Sequence, residues 1–262
     1  MMQSENATDV QIAAARLRVS LDTKRGRHTP ERIRRLAAQT FAGNALSREE
    51  NPTRRRLCLG VDVVDFARTG ASQQSRLRHE FQQALAEAAL RAGLRPSEWD
   101  SEDRGDGILA LLPGMPEPSV IEDFVRHLED VLDRVQSLGG PVDRLRLRVA
   151  MHGDVVSAES DGLFGPAVAT IIRLLDAEQL RAAMRAASAV NLAVVMSDDL
   201  YKTFRRGHTM LRLRQIMVTV KEFAAPAWIY VPGEENVPPL SPSASKGESE
   251  SEAASPEPGA NP

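Results

Sequence analysis

From Arg56 onward, apolar strand-like runs and helical stripes alternate in the order β-α-β-β-α-β, then α-β-α-β-β, and few folds accept that order. RLCLGVDVVDF reads as a buried strand. The next segment repeats Leu77, Phe81, Leu85 and Ala88 at helical spacing and stops at Gly93. A strand around 97–102 and the run ILALLP form a hairpin across an acidic turn. SVIEDFVRHLEDVLDRVQSLGG opens with a capping box, Ser119 with Glu122, and keeps Ile121, Phe124, Leu128, Val131 and Val135 on one stripe. RLRLRVAM alternates as a half-buried strand does. A long helix over about 166–187, the strand AVNLAVVM and a short helix capped by Ser197 follow. LRLRQIMVTV and AWIYV then close the series as a hairpin around KEFAAP. The first part is the split βαβ, ferredoxin-like order, so one sheet with covering helices accounts for residues 56–232 as a single α+β domain.

The flanks differ from this core. Residues 1–55 read as a basic helical extension and linker. IAAARLRVSLD has helical spacing, and in HTPERIRRLAAQ Thr29 is the expected N-cap with Pro30 at the first helical position. These helices offer few large apolar residues and are expected to dock on the domain rather than build a core. Residues 233–262, rich in Pro, Ser, Glu and Ala, read as a disordered acidic tail. Residues 1–56 carry twelve Lys/Arg against six Asp/Glu, and 233–262 carry six Glu and one Lys, so head and tail are suited to attract each other. A nucleic-acid-binding head is the weaker reading, because the segment lacks a helix-turn-helix pattern and stacking aromatics.

Cys58 is the only cysteine, which rules out an internal disulfide, and the five histidines lack zinc-type spacing. No run approaches the roughly 20 apolar residues of a membrane span, and no signal-peptide core is visible. The expectation is a soluble, cytoplasmic protein that does not engage membranes.

Two acidic positions demand an explanation. Asp62 sits inside an otherwise apolar strand, where an unpaired carboxylate is expensive to bury. Asp106 sits in SEDRGDG, a turn whose Gly105 and Gly107 supply the bend but whose carboxylates repel one another unless a cation lies among them. In a β-α-β-β arrangement the first strand lies beside the hairpin, so both carboxylates are able to converge on one edge. Convergent carboxylates without a thiol or histidine partner favour a hard divalent ion. Spacing alone leaves open the plainer pairing of a surface aspartate with a turn aspartate.

VDVVDF, then EDRGDG, RLRVAMH and GLFGPAVATIIRLLDA, resembles the class III nucleotidyl cyclases, the adenylate/guanylate cyclase catalytic domain. The resemblance spans about residues 56–232 and includes the closing VKEFAAPAWIYV. It is nearest to actinobacterial cyclase-like proteins with a HEDRGDG-type hairpin and a basic helical N-terminus. It implies conversion of a nucleoside triphosphate to a 3',5'-cyclic nucleotide and pyrophosphate, with two Mg²⁺ or Mn²⁺ ions held by Asp62 and Asp106. It also implies a transition-state arginine at Arg173 contributed across a head-to-tail homodimer. The base-reading positions fall on Glu102 and Gly162. A carboxylate at Glu102 accepts from guanine, uracil or the cytosine amino group, which favours GTP, UTP or CTP over ATP. Glycine at 162 offers no reading group. Pyrimidine cyclases of bacterial anti-phage signalling share this scaffold.

The chain departs from that pattern at the ribose-orienting position, where Ala169 stands for an asparagine and has no donor. Asp65 and Asp154 replace frequent glycines, the first as a possible third carboxylate near the metals, and His152 reads as structural. The alternative is therefore a catalytically degenerate cyclase-homology domain that works as a dimeric, nucleotide-responsive or protein-interaction module.

Overall fold

The computed structural model describes residues 9–24, 27–38, 55–138, 144–155, 158–159, 162–163, 165–186, 189–206 and 210–233. The expected linker, from residue 39 to 54, and the acidic tail from residue 234 on lie outside the described residues.

Two helices come first, α1 (Asp9–Lys24) and α2 (Glu31–Ala37). The β-α-β-β-α-β unit follows as β1 (Arg55–Val63), α3 (Ala71–Arg91), β2 (Asp100–Asp103), β3 (Gly107–Leu111), α4 (Pro118–Leu138) and β4 (Leu147–Val155). A two-stranded ribbon, β5 (Ala158–Glu159) with β6 (Gly162–Leu163), leads to α5 (Pro166–Leu175) and α6 (Glu178–Ala186). The chain continues through β7 (Leu192–Ser197), α7 (Asp198–Phe204), β8 (Arg214–Val220) and β9 (Phe223–Tyr230).

The main sheet runs β2-β3-β1-β4-β7-β9-β8. Its first four strands pair antiparallel in the split-βαβ order, β7 joins β4 in parallel, and β9 and β8 extend the sheet antiparallel. The fold class is thus the expected α+β sheet with covering helices. Because successive residues of a strand point to opposite faces, Leu57, Leu59, Val61 and Val63 of β1 enter one core, with Phe81 and Leu85 of α3 and Phe124 and Leu128 of α4. Cys58 enters the other, with Val168, Ile171 and Leu174 of α5 and Leu180 of α6. Each fully buried large side chain contributes about 1.5–3 kcal/mol.

Leu17 and Leu21 of α1 join the first core, so the N-terminal helix docks on the domain as its sparse apolar content suggests. Buried Asp22 closes the α1–α2 turn by accepting from Arg18 and Thr29 at 2.7 and 3.1 Å.

Several local readings are corrected. Thr29 donates to Asp22, and the N-cap position of α2 is held by Pro30, whose side chain has no acceptor to offer the first turn. The Ser119–Glu122 capping box does not form: α4 starts one residue before Ser119, and Glu122 instead accepts the Met210 N–H at 2.8 Å. The single helix over 166–187 is two, α5 and α6, broken at Asp176 and Ala177. β4 is buried from Val149 to Gly153 rather than alternating, because it is a central strand covered on both faces. The first arm of the acidic hairpin begins at Asp100, with residues 96–98 forming a short 3₁₀ turn. The closing hairpin turns at Lys221 and Glu222, Lys221 at φ 52°, so FAAP belongs to β9; Pro226 pairs with Met217 beyond the end of β7.

Candidate active site

Strand alternation puts Asp62 on the α5 face of the sheet, in phase with Cys58 and Gly60 but at the strand end. Register decides its neighbours: Asp62 lies opposite Arg148 of β4 on one side and Gly107 of β3 on the other. Arg148 Nη2 donates to Asp62 Oδ2, and both side chains are about five-sixths buried. Asp106 lies within hydrogen-bonding reach of Asp62 from the neighbouring turn, while its own side chain is open to solvent. Burial pushes the Asp62 carboxyl up to about 6; the Arg148 charge opposes that rise, and the charge and hydrogen bond of Asp106 add to it.

Gly107 makes this approach possible. A Cβ there would lie 2.0 Å from the Val61 carbonyl oxygen, so only glycine lets the hairpin close on β1. Val63 N–H then donates to the Asp106 carbonyl at 2.8 Å.

The other acids of the turn are divided among separate cations. Asp103 pairs with Arg78 at 2.6 Å, and Glu102 with Arg104 at 3.0 Å. Glu102 also accepts the Leu163 N–H at 3.4 Å, so β2 and the ribbon carrying Gly162 are neighbours. Asp65, at φ 57° in the left-handed region that favours glycine, pairs at 3.4 Å with Arg68. Asp154 is engaged with its own neighbour, the Val155 N–H, at 2.7 Å. His152 is buried and hydrogen-bonded to Ser197 at 2.8 Å, the residue that caps α7.

Arg173 and Ala169 lie on α5. The helix crosses β1 closely because Gly60 has no side chain; a Cβ would meet Ile171 Cγ2 at 2.4 Å. Arg173 is exposed, its guanidinium carbon 5.1 Å from the centre of the Phe223 ring on β9. Among the described residues no hydrogen bond or ion pair joins it to Asp62 or Asp106. Ala169 is half-buried, and its backbone N–H closes the first helical turn on Gly165.

Arg148 was missed in the sequence because RLRLRVAM reads as an alternating strand with solvated arginines. The available signal was the pairing rule: a buried strand acid needs a cross-strand cation. Its Nε is buried and has no hydrogen-bond partner among the described residues.

Among the described residues, no group of three or more His, Cys, Asp or Glu side chains is placed to hold a metal. A Mg²⁺ site requires fewer, since this ion keeps several waters and is usually held by one or two carboxylates plus substrate phosphates. Two adjoining carboxylates fit a hydrated Mg²⁺ or Mn²⁺ ion.

No protein-family model matches the chain, and no curated protein matches it. Solved structures do. An adenylate/guanylate cyclase/hydrolase from Silicibacter pomeroyi is 17% identical over 69% of this chain and 99% of its own, with a TM-score of 0.46. The guanylyl cyclase Cya2 is 15% identical over 68% of this chain and 91% of its own, and the adenylyl cyclase CyaB from P. aeruginosa is 14% identical over 68% and 93%; both have a TM-score of 0.46. Overlaps this loose do not assign an activity, which has to come from the chain's own residues.

Proposed function

We propose that the chain is a metal-dependent nucleotidyl cyclase that forms a 3',5'-cyclic nucleotide and pyrophosphate at sites shared between two copies. The observation that carries this reading is the meeting of Asp62 and Asp106 at one end of the sheet's inner strands, beside Arg148. Holding two carboxylates together costs stability, and a site for divalent cations gives that cost a use.

Asp62 and Asp106 would hold Mg²⁺ or Mn²⁺. Such ions supply activation of the ribose 3'-hydroxyl and neutralisation of charge on the α-phosphate and departing pyrophosphate. The protein's own contribution is to orient and to stabilise charge. Arg148, paired with Asp62, would fix the orientation of that carboxylate. Glu102, steadied by Arg104 and the Leu163 N–H, presents an acceptor to the base, which favours GTP, UTP or CTP over ATP; Gly162 beside it leaves room without reading. Arg173 would enter the partner's site, where a guanidinium that stays ionised suits a spread phosphate charge. Among the described residues its guanidinium lies over the Phe223 ring and is not joined to Asp62 or Asp106, which is why the reading requires a homodimer.

Ala169 favours the second reading, a degenerate module that binds nucleotide without turnover, because nothing at that helix position can donate to a ribose. One experiment separates the two. Purified protein is incubated with each of ATP, GTP, CTP and UTP plus Mn²⁺, and products are identified by mass. A cyclic product from GTP or a pyrimidine nucleotide, lost in Asp106→Ala, supports the cyclase. No cyclic product from any of the four overturns it in favour of the module.

A further inference from the structure

The turn bearing Asp106 is tied to α3 by one side chain that neither the metal pair nor the base pocket uses. Arg78 Nη1 donates to Asp103 Oδ2 at 2.6 Å, and Nη2 donates to the Gly105 carbonyl. The second oxygen of Asp103, Oδ1, accepts the Gly105 N–H at 2.8 Å, so a single carboxylate joins the arginine to the bend of the turn. The pair is well covered, with the Arg78 side chain 18% and the Asp103 side chain 6% exposed. The guanidinium carbon also lies 5.8 Å from the centre of the Phe66 ring, in the segment that follows β1. Arg78 therefore touches both connections that flank the aspartate pair, the one leaving Asp62 and the one delivering Asp106.

The void beneath it, lined by Leu21, Val63, Phe66, Phe81 and Asp106 among others, measures about 10 Å³, room for roughly one water and for no ligand. That limits Arg78 to acting through the turn. We infer that Arg78 is a positioning residue that locks the two connections at the separation where Asp62 and Asp106 share a cation; this rests on the metal-dependent reading above. A planar fork spanning a carboxylate and a carbonyl holds a distance as well as a charge, whereas a lysine holds only the charge. Leu21 in the same lining brings α1 under the turn, so the docked N-terminal helix backs this lock.

The test uses the full chain with Mn²⁺ alone as probe, free ion being read by electron paramagnetic resonance. Amide hydrogen exchange is followed in parallel on metal-free protein. Arg78→Met and Arg78→Lys are compared with wild type and with Arg134→Met, which removes an exposed α3–α4 ion pair away from the turn. Loss of an outer-shell partner of a metal ligand weakens binding about 10- to 100-fold. Arg78 is bonded to Asp103 and the Gly105 carbonyl rather than to either aspartate of the pair, so Arg78→Met is expected to weaken Mn²⁺ by about tenfold, the lower end of that range, and to speed exchange at Gly105 and Val63 selectively. Arg78→Lys should recover part of the exchange protection and little of the affinity, and Arg134→Met should change neither. Should Arg78→Met fail to fold, Asp103→Asn, which keeps the side-chain shape, is read by the same two measurements. Wild type that binds Mn²⁺ alongside an Arg78→Met protein with equal affinity and unchanged exchange overturns the positioning role alone. Wild type that does not bind Mn²⁺ overturns the metal reading, and the inference with it, whatever the exchange shows.

Discussion

The acidic end of the sheet and the α5 shoulder hold their charged groups in opposite ways. At the acidic end three carboxylates have a cation of their own chain, Asp62 with Arg148 across the sheet, Asp103 with Arg78 on α3 and Glu102 with Arg104 in the turn, while Asp106 stands exposed beside Asp62. On α5 the one candidate catalytic group, Arg173, is exposed and rests on the Phe223 ring. The difference is energetic. A charge removed from water must be compensated inside its own chain, whereas an exposed guanidinium costs nothing while it waits for an anion. The two aspartates meet within one copy, and in the proposed dimer the exposed arginine would serve the other copy's site.

The sharpest way to break this contrast is complementation. Asp106→Ala and Arg173→Ala should each lower turnover by about 10²–10³-fold, the scale of losing one charge-stabilising group. Mixed in equal amounts they should recover about a quarter of wild-type activity, because half the dimers are hybrids with one intact site of two. No recovery would place both groups in the same copy's site. Next in size, Ala169→Asn restores a donor on α5 and should raise kcat by about tenfold with a smaller change in KM; an unchanged kcat would mean that α5 does not face the ribose.

Gly107→Ala tests the acidic half. The new Cβ meets backbone rather than a side chain that is able to move, so a cost of about 1–3 kcal/mol is expected, read as a lower denaturation midpoint together with weaker Mn²⁺ binding. A normal midpoint with weak Mn²⁺ binding would show that the turn shifts as a unit.

His152 gives a smaller effect, with a defined sign. Burial lowers its pKa below the ordinary histidine value, with Asp154 working against the shift, so the unfolded chain binds the proton more readily. The contribution to stability is present above about pH 6.5 and is lost as pH falls below it. The denaturant midpoint should drop between about pH 7 and pH 5, and the drop should shrink in His152→Gln. An equal drop in both proteins would assign the pH dependence elsewhere. Last, burial pushes the Cys58 thiol up to about 12, against the influence of Arg56. A maleimide at pH 8 should leave it unmodified until denaturant is added; labelling of native protein would mean that the central strand opens locally.

Long, strongly patterned elements were legible from the chain. The stripes Leu77–Phe81–Leu85–Ala88 and Ile121–Phe124–Leu128–Val131 are buried as their spacing predicts, and Ser197 caps α7. Signals shared by several conformations were not. Thr29 and Glu122 are both good cap residues, and each is engaged by a group outside its own helix start, Thr29 by Asp22 of α1 and Glu122 by the Met210 N–H. The arginines of RLRLRVAM gave no sign of their individual fates: Arg146, just before β4, donates to the Val190 carbonyl at 2.9 Å, while Arg148 in β4 meets Asp62.

The chain alone determined its strand and helix order, the helical faces that must be buried, and the presence of one strand acid, Asp62, too costly to bury without a counter-charge, since periodicity and solvation are local properties. Only the tertiary structure decided which cation each acid received and that Arg173 would stand outside the pair. Those outcomes depend on strand register and on two glycines that let backbone and helix approach closely, and the linear spacing of residues does not encode such distances.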